Sequence, residues 1–312
     1  MSRIERALEK ALKIRRSSTG PGSSSIGLTT FSKCDPAVFE VGEGAIDVAA
    51  VNPHIVSIAN PYTVAAEEYR KLRAKILQMT DKDFLNTIMI TSSQSGEGKT
   101  ITAINLAVAI AREFDHTVLL IDADLRKPSI HTYLGLEPKL GLSDYLESRA
   151  DLPDIMVKTG IGKLILLPAG KPPERPAELI SSDRMRILMR ELKFRYRDRY
   201  IIIDSSPLLM TADALSLCDY MDGIIFVVQA ALTSQKMVTR AASLLKSYNV
   251  IGTIFNDVPK YLAQNLYPYY YHATPYAGIV STPDAANTSS GDEEKQSDDA
   301  GGGIDDRIQE KA

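Results

Sequence analysis

The run Thr87–Phe114, TIMITSSQSGEGKTITAINLAVAIAREF, constrains the fold more than any other part of this 312-residue chain. Thr87–Thr91 is a short apolar, β-branched run of the kind that forms a buried strand. Ser92–Gly98 is small and glycine-bearing, and Thr100–Phe114 has the apolar spacing of a helix. Strand, flexible loop, Gly-Lys-Thr and helix, in that order, make a phosphate-binding loop. Gly96 and Gly98 let the backbone curl so that its N–H groups point inward at the β- and γ-phosphates of a nucleotide. The helix N-terminus adds partial positive charge, Lys99 adds a full one, and the Thr100 hydroxyl can ligate Mg²⁺. The usual pattern carries another glycine five residues before Gly98, where this chain has Ser93. A glycine turn between two packed elements would not need the lysine.

Beyond this loop, strands and helices alternate. Val118–Asp122, Lys163–Leu167, Tyr200–Asp204, Gly223–Gln229 and Val250–Asn256 read as buried strands. Gly141–Ser148, Ala177–Arg195 and Ser234–Tyr248 read as helices. Continuous β-branched runs separated by helices predict an α/β fold: a mostly parallel sheet covered by helices on both faces, with ligands at the strand C-termini. Asp122 and Asp204 each end a hydrophobic strand, which places both beside the phosphate loop. One carboxylate there can hold Mg²⁺, and a second can orient or deprotonate a nucleophile. An aspartate ending a strand is often only a turn or cap residue. Two of them following a phosphate loop are harder to explain that way.

The flanks are of a different kind. Met1–Arg16 is a helix by propensity with six Lys/Arg against two Glu, suited to an anionic surface, a partner or local packing. Ser17–Ser25 is a flexible linker by composition, and residues to about 60 show no clear periodicity, so 1–60 is expected to be N-terminal helix and linker. A globular domain is expected over 61–260. It opens with the helix Thr63–Gln78, on which Glu67, Arg70 and Arg73 share a face and can pair locally. At 261–277 come Tyr261, Tyr267, Tyr269, Tyr270, Tyr271 and Tyr276, six of the chain's 14 tyrosines. Prolines 268 and 275 disfavour helix there, and adjacent tyrosines have no single buried face. From 278 to 312 nine acidic residues stand against three basic ones, a disordered, solvating tail by composition.

A net charge of −3 with pI near 5.9 gives no electrostatic case for nucleic acid. Two cysteines without metal spacing, no signal peptide and no run of about 18 apolar residues predict a cytoplasmic chain that does not span a membrane by itself.

Ser92–Thr100 (SSQSGEGKT), Leu119–Pro128 (LLIDADLRKP) and Ile201–Pro207 (IIIDSSP) resemble the Walker A, A′ and B motifs of the bacterial tyrosine kinases, the autokinases of capsular and exopolysaccharide loci. The resemblance spans roughly Ala59 to Tyr276 and takes in GLSDYL at Gly141–Leu146 and LPAGKPPERPAEL at Leu167–Leu179. It also takes in Glu67, Arg70 and Arg73, which in that family lie at the interface of a ring-shaped homo-oligomer. The opening SRIERALEKA is similar to the exosortase-associated branch of these kinases.

The resemblance implies a P-loop NTPase fold and a protein-tyrosine autokinase using ATP and Mg²⁺. It implies a nucleotide site of Ser95, Gly96, Glu97, Gly98, Lys99, Thr100 and Ile101, with Arg126, and with Asn256 where related ATPases recognise adenine. Thr100 and Asp204 would hold the metal together with Asp122, which would also be the base for the tyrosine hydroxyl, supported by Asp124. The six clustered tyrosines would be phosphoacceptors on a neighbouring subunit; an aromatic binding patch is the rival reading. A membrane-bound polysaccharide chain-length (co-polymerase) protein would act as activator and recruit the chain to the inner face of the membrane. Ser206 stands where the Walker B pattern has proline, and the tyrosine cluster does not end the chain. The alternative is a Min/Par-type ATPase switch, whose loop usually carries an early second lysine where this chain has Gln94; a third is a scaffold that binds ATP without catalysis.

Overall fold

Alternate residues of the central strands face opposite layers, and both layers are apolar. That is why these strands read as continuous hydrophobic runs rather than alternating ones. In the computed structural model, which describes residues 46–81, 85–195 and 199–259, the strands are β1 (Thr87–Ser92), β2 (Thr117–Asp122), β3 (Val157–Lys158), β4 (Leu164–Leu167), β5 (Arg199–Asp204), β6 (Gly223–Gln229) and β7 (Val250–Asn256). They form one sheet in the order β3-β4-β2-β5-β1-β6-β7, parallel throughout except for the two-residue β3, which runs antiparallel to β4.

Helices α1 (Val56–Ala59), α2 (Val64–Thr80), α3 (Lys99–Ala111) and α4 (Ile130–Tyr133) contribute to one face. Ile76, Ile104, Val108, Ile110 and Ile130 pack there against Ile88, Ile90, Leu120 and Ile202. On the other face lie α5 (Leu142–Leu146), α6 (Pro176–Ile180), α7 (Asp183–Arg195), α8 (Asp213–Cys218) and α9 (Gln235–Leu244). Leu142, Ile180, Met185, Leu188 and Leu217 meet Met89, Leu119, Ile121 and Ile203 there. The expected doubly covered sheet is therefore what forms, except at β7. Expected to be buried, β7 is an edge strand without a buried residue, its Val250 and Phe255 exposed because only β6 flanks it. Helix α3 is buried along nearly its whole length, since it lies over the middle of the sheet.

Three local departures have physical causes. Residues 46–60 were expected to be linker, yet Val51, Ile55 and Ile58 are buried in the core beside α3. Asn105 of α3 holds that segment: its Oδ1 accepts from Ser57 N at 2.8 Å and its Nδ2 donates to His54 O at 3.1 Å. The expected helix Ala177–Arg195 is two, because the hydroxyls of Ser181 and Ser182 bond to the carbonyls of Ala177 and Leu179. Ser182 Oγ then accepts from Met185 N and starts α7. The edge strand β3 and the short helices α4 and α8 carried no periodic signal. The first helix and the tyrosine cluster lie outside the described residues. Among the described residues no helix is long and apolar enough to cross a membrane.

Candidate active site

The C-terminal ends of β1, β2 and β5 lie side by side, and each delivers part of one site. Ile90 pairs with Asp204 across β1 and β5, and Asp122 stands opposite Asp204 across β2 and β5. From β1 the chain enters the loop 93–98, in which Gly96 and Gly98 take φ of +89° and +90°. Helix α3 then begins at Lys99 with Gly98 as its N-cap, so the first amides of a buried helix open onto the strand ends.

Lys99 is the hub. Its Nζ lies 3.1 Å from Asp124 Oδ2 and 3.5 Å from Asp204 Oδ1, and donates to Thr100 Oγ1 at 3.1 Å. The Thr100 hydroxyl donates to Asp204 Oδ2 at 2.6 Å. Asp204 is fully buried, and its Oδ1 has no hydrogen-bond partner among the described residues, an oxygen suited to a cation or a bound water. Burial works to lower the Lys99 pKa, but Asp204 and Asp124 outweigh it and hold the ammonium above its usual range. Burial and the neighbouring charge of Asp204 push the Asp122 carboxyl up to about 7, against the downward pull of the Ile130 and Ser129 amides and Lys99. Asp204 is likewise raised, chiefly by burial.

Asp122 also shapes its own loop. Its Oδ2 accepts from Ser129 N at 3.0 Å and Ile130 N at 3.1 Å, and its Oδ1 from Asp124 N at 3.3 Å. The carboxylate thus wraps residues 123–129 around itself and aims Asp124 at Lys99.

The structure therefore brings together Lys99, Thr100, Asp122, Asp124 and Asp204. Other expected site residues stand apart from that cluster. Arg126 turns away to Asp213, with Nε 2.7 Å from Oδ2 and Nη2 3.2 Å from Oδ1. Ser95 and Gly96 are exposed at the loop, and Ile101 is half-buried against the α3 layer. The Glu97 side chain is buried behind the loop and takes hydrogen bonds from the amides of Ser93 and Gln94. Asn256, ending β7, donates from Nδ2 to Glu97 O at 3.1 Å and so borders the loop. On α2, Arg70 pairs with Glu67 at 2.7 Å, while Arg73 reaches Ala109 O within α3 at 3.3 Å and Glu113 just beyond its end at 2.7 Å.

Two partners were missed by sequence reasoning, Asp213 for Arg126 and Thr233 for Glu97. Each is far from its partner in sequence and belongs to no spacing pattern. GLSDYL and LPAGKPP, by contrast, pack on each other: Leu142 N donates to Pro168 O at 2.7 Å and Ser143 N to Ala169 O at 2.9 Å. A β-carbon on Gly141 would lie 2.1 Å from Gly170 N, which explains the glycine.

Residues 88–295 match the family model of the CobQ/CobB/MinD/ParA nucleotide-binding domain. The chain is 34% identical to the tyrosine-protein kinase YwqD of Bacillus subtilis over 70% of this chain and 91% of that one. It is 29% identical to the putative tyrosine-protein kinase CapB of Staphylococcus aureus, over 68% and 92% respectively. Among solved structures, the kinase domain of the Escherichia coli tyrosine kinase ETK matches with TM-score 0.62 and 31% identity. That match covers 66% of this chain and 80% of the other.

Proposed function

Because this chain belongs to the bacterial tyrosine-protein kinases built on the CobQ/CobB/MinD/ParA nucleotide-binding domain, we propose that Lys99, Thr100, Asp122, Asp124 and Asp204 are the machinery of its phosphoryl transfer. The chain is a protein-tyrosine kinase, transferring a phosphoryl group from a bound nucleotide to tyrosine. The finer reading is an autokinase that uses Mg-ATP and phosphorylates the tyrosine cluster of a neighbouring subunit.

The observation that carries this reading is the convergence of one lysine and three aspartates at the ends of β1, β2 and β5. The donors fit Mg²⁺: a threonine hydroxyl and a carboxylate 2.6 Å apart are hard oxygen ligands, and Asp204 Oδ1 has no other hydrogen-bond partner. Among the described residues no group of three or more acidic, histidine or cysteine side chains is arranged to hold a metal alone. When bound with ATP, Mg²⁺ held by Thr100 and Asp204 would neutralise charge developing on the transferred group.

The protein's own part is positional and protolytic. The amides of Ser95, Gly96, Glu97, Gly98, Lys99, Thr100 and Ile101 and the Lys99 ammonium orient the phosphates, and Thr100 and Asp204 place the metal. Asp122, which borders that metal site, accepts the proton of the tyrosine hydroxyl. A carboxyl lifted to about 7 is well matched to that task near neutral pH. Asp124, pointed at Lys99, keeps the acceptor side of the site in register. Asn256, which borders the loop through Glu97 O, would meet the adenine of the nucleotide. Arg126 would reach the nucleotide only by leaving Asp213. Glu67, Arg70 and Arg73 serve a ring-like homo-oligomer, and a membrane-bound co-polymerase of capsule or exopolysaccharide export activates the kinase at the inner face of the membrane. The relatives named above favour this reading over a partner-positioning ATPase, since two are named tyrosine kinases and the third a putative one.

The test is incubation of the purified full chain with Mg-ATP, read by mass spectrometry for phosphotyrosine, beside Lys99→Met. Wild type is expected to accumulate phosphotyrosine. The variant is expected to lose on the order of 10²–10³ in rate, the scale of removing one preorganised transition-state contact. Equal labelling in both would remove this site from consideration as the catalytic centre.

A further inference from the structure

Glu97 is an acidic residue in the middle of a loop whose task is to hold anionic phosphates, and its side chain is completely buried. A buried carboxylate without partners is costly, yet this one is saturated. Oε2 accepts from Ser93 N at 2.6 Å and Gln94 N at 2.9 Å, and the Ser93 hydroxyl donates to Oε1 at 2.8 Å and to Oε2 at 2.9 Å. The Thr233 hydroxyl, from the connection between β6 and α9, also bonds Oε1. That hydroxyl is itself oriented, because its oxygen accepts from Gln229 N at 3.2 Å. The Glu97 carbonyl meanwhile receives Asn256 Nδ2 from the end of β7. One residue therefore ties together the first turn of the phosphate loop, the β6–α9 connection and the end of β7.

The geometry points to Glu97 as a positioning residue for ATP: it consumes the amides that open the loop, fastens the loop to Thr233, and so presents the remaining amides to the phosphates already shaped. This rests on the reading of the loop as the ATP site. It also gives the departure at position 93 a purpose. A glycine there could supply the amide but not the hydroxyl that fills both carboxylate oxygens. The group touches neither nucleotide nor acceptor; it acts through the loop. Its loss is therefore expected to fall on ATP affinity more than on turnover at saturating ATP.

The test compares wild type, Glu97→Ala, Glu97→Gln and Thr233→Val in the full chain. ATP affinity is measured by calorimetry, ATP KM and kcat from autophosphorylation, and folding by circular dichroism. Glu97→Ala is expected to raise Kd and KM for ATP by about tenfold or more, the scale of a lost buried hydrogen bond, with kcat changed far less. Glu97→Gln keeps an acceptor for the two amides and can donate to Thr233, so it should recover most of that loss. A folded Glu97→Ala with wild-type ATP affinity, or a Gln variant no better than the Ala one, overturns the proposal. Should Glu97→Ala fail to fold, Thr233→Val decides, since it removes one hydroxyl outside the loop. Weakened ATP binding supports the clamp, and unchanged binding overturns it. Wild type that binds no ATP brings down the reading of the site itself, an outcome visible before any variant is compared.

Discussion

Asn256 lies over Gly98 so closely that its amide nitrogen would stand 1.9 Å from a β-carbon placed there. The backbone of Gly98 is also left-handed, with φ of +90°. Gly98→Ala therefore meets two penalties, about 1–2 kcal/mol for the conformation and a collision with the end of β7. It is expected to abolish measurable ATP binding. Adding Asn256→Ala removes the collision but not the conformational cost, so calorimetry of the double variant should show affinity only partly restored. Wild-type affinity in Gly98→Ala would mean that the loop is not held as described.

The paired carboxylates make the nucleotide-free protein sensitive to pH. Folded Asp122 keeps its proton up to about 7, whereas the unfolded group releases it near its ordinary value of 3.8. Between those values the folded state binds more protons, so stability falls as pH rises through that window. A shift of that size has an upper limit on the order of 4 kcal/mol. Urea denaturation with chelator and without nucleotide should show wild type losing stability from pH 5 to pH 8, and Asp122→Asn losing much less. Parallel curves for the two proteins would count against the buried pair as the cause.

Assembly is tested on α2. The Glu67–Arg70 pair is partly exposed and lies within one helix, worth at most about 0.5 kcal/mol. Arg73 does more inside the chain, through Glu113 and Ala109 O. Replacing all three with Ala is expected to shift light-scattering mass from oligomer to monomer while folding is kept. An unchanged mass would confine these side chains to intrachain work.

The acceptors are tested by replacing Tyr267, Tyr269, Tyr270 and Tyr271 with Phe, which keeps the rings. Each phosphate would add roughly −1.5 to −2 charges, and several within so short a segment repel one another. The variant is expected to bind ATP normally, to lose most phosphotyrosine and to stay assembled in Mg-ATP. Of the tyrosines outside the cluster, Tyr62 is 93% exposed, while Tyr200 is buried and bonds Thr80 Oγ1 at 2.7 Å. Label persisting at Tyr62, Tyr133 or Tyr200 would make the cluster a binding patch instead.

The sheet, the phosphate loop and the convergence of Asp122 and Asp204 were legible in the sequence because each is local or repeated. A β-branched run declares a strand, and an aspartate at its end declares a strand terminus in a parallel sheet. What stayed hidden depends on partners far along the chain. Nothing near Arg126 announces Asp213, and nothing near Glu97 announces Thr233. Val51, Ile55 and Ile58 escaped because a segment held by hydrogen bonds to distant residues, Asn105 and Tyr133 among them, needs no periodicity of its own. The double serine at 181–182 broke a helix that hydrophobic spacing alone would have continued.

The pairing of Asp122 with Asp204 across β2 and β5 sets a limit on how this protein can change over evolutionary time. Side chains on a strand alternate between faces, so one residue inserted or deleted within either strand would send its carboxylate into the opposite layer. No intermediate length keeps half the chemistry. Length variation among descendants of this chain should therefore gather in the connections between elements, while β2 and β5 keep their residue count even where their apolar residues are freely exchanged.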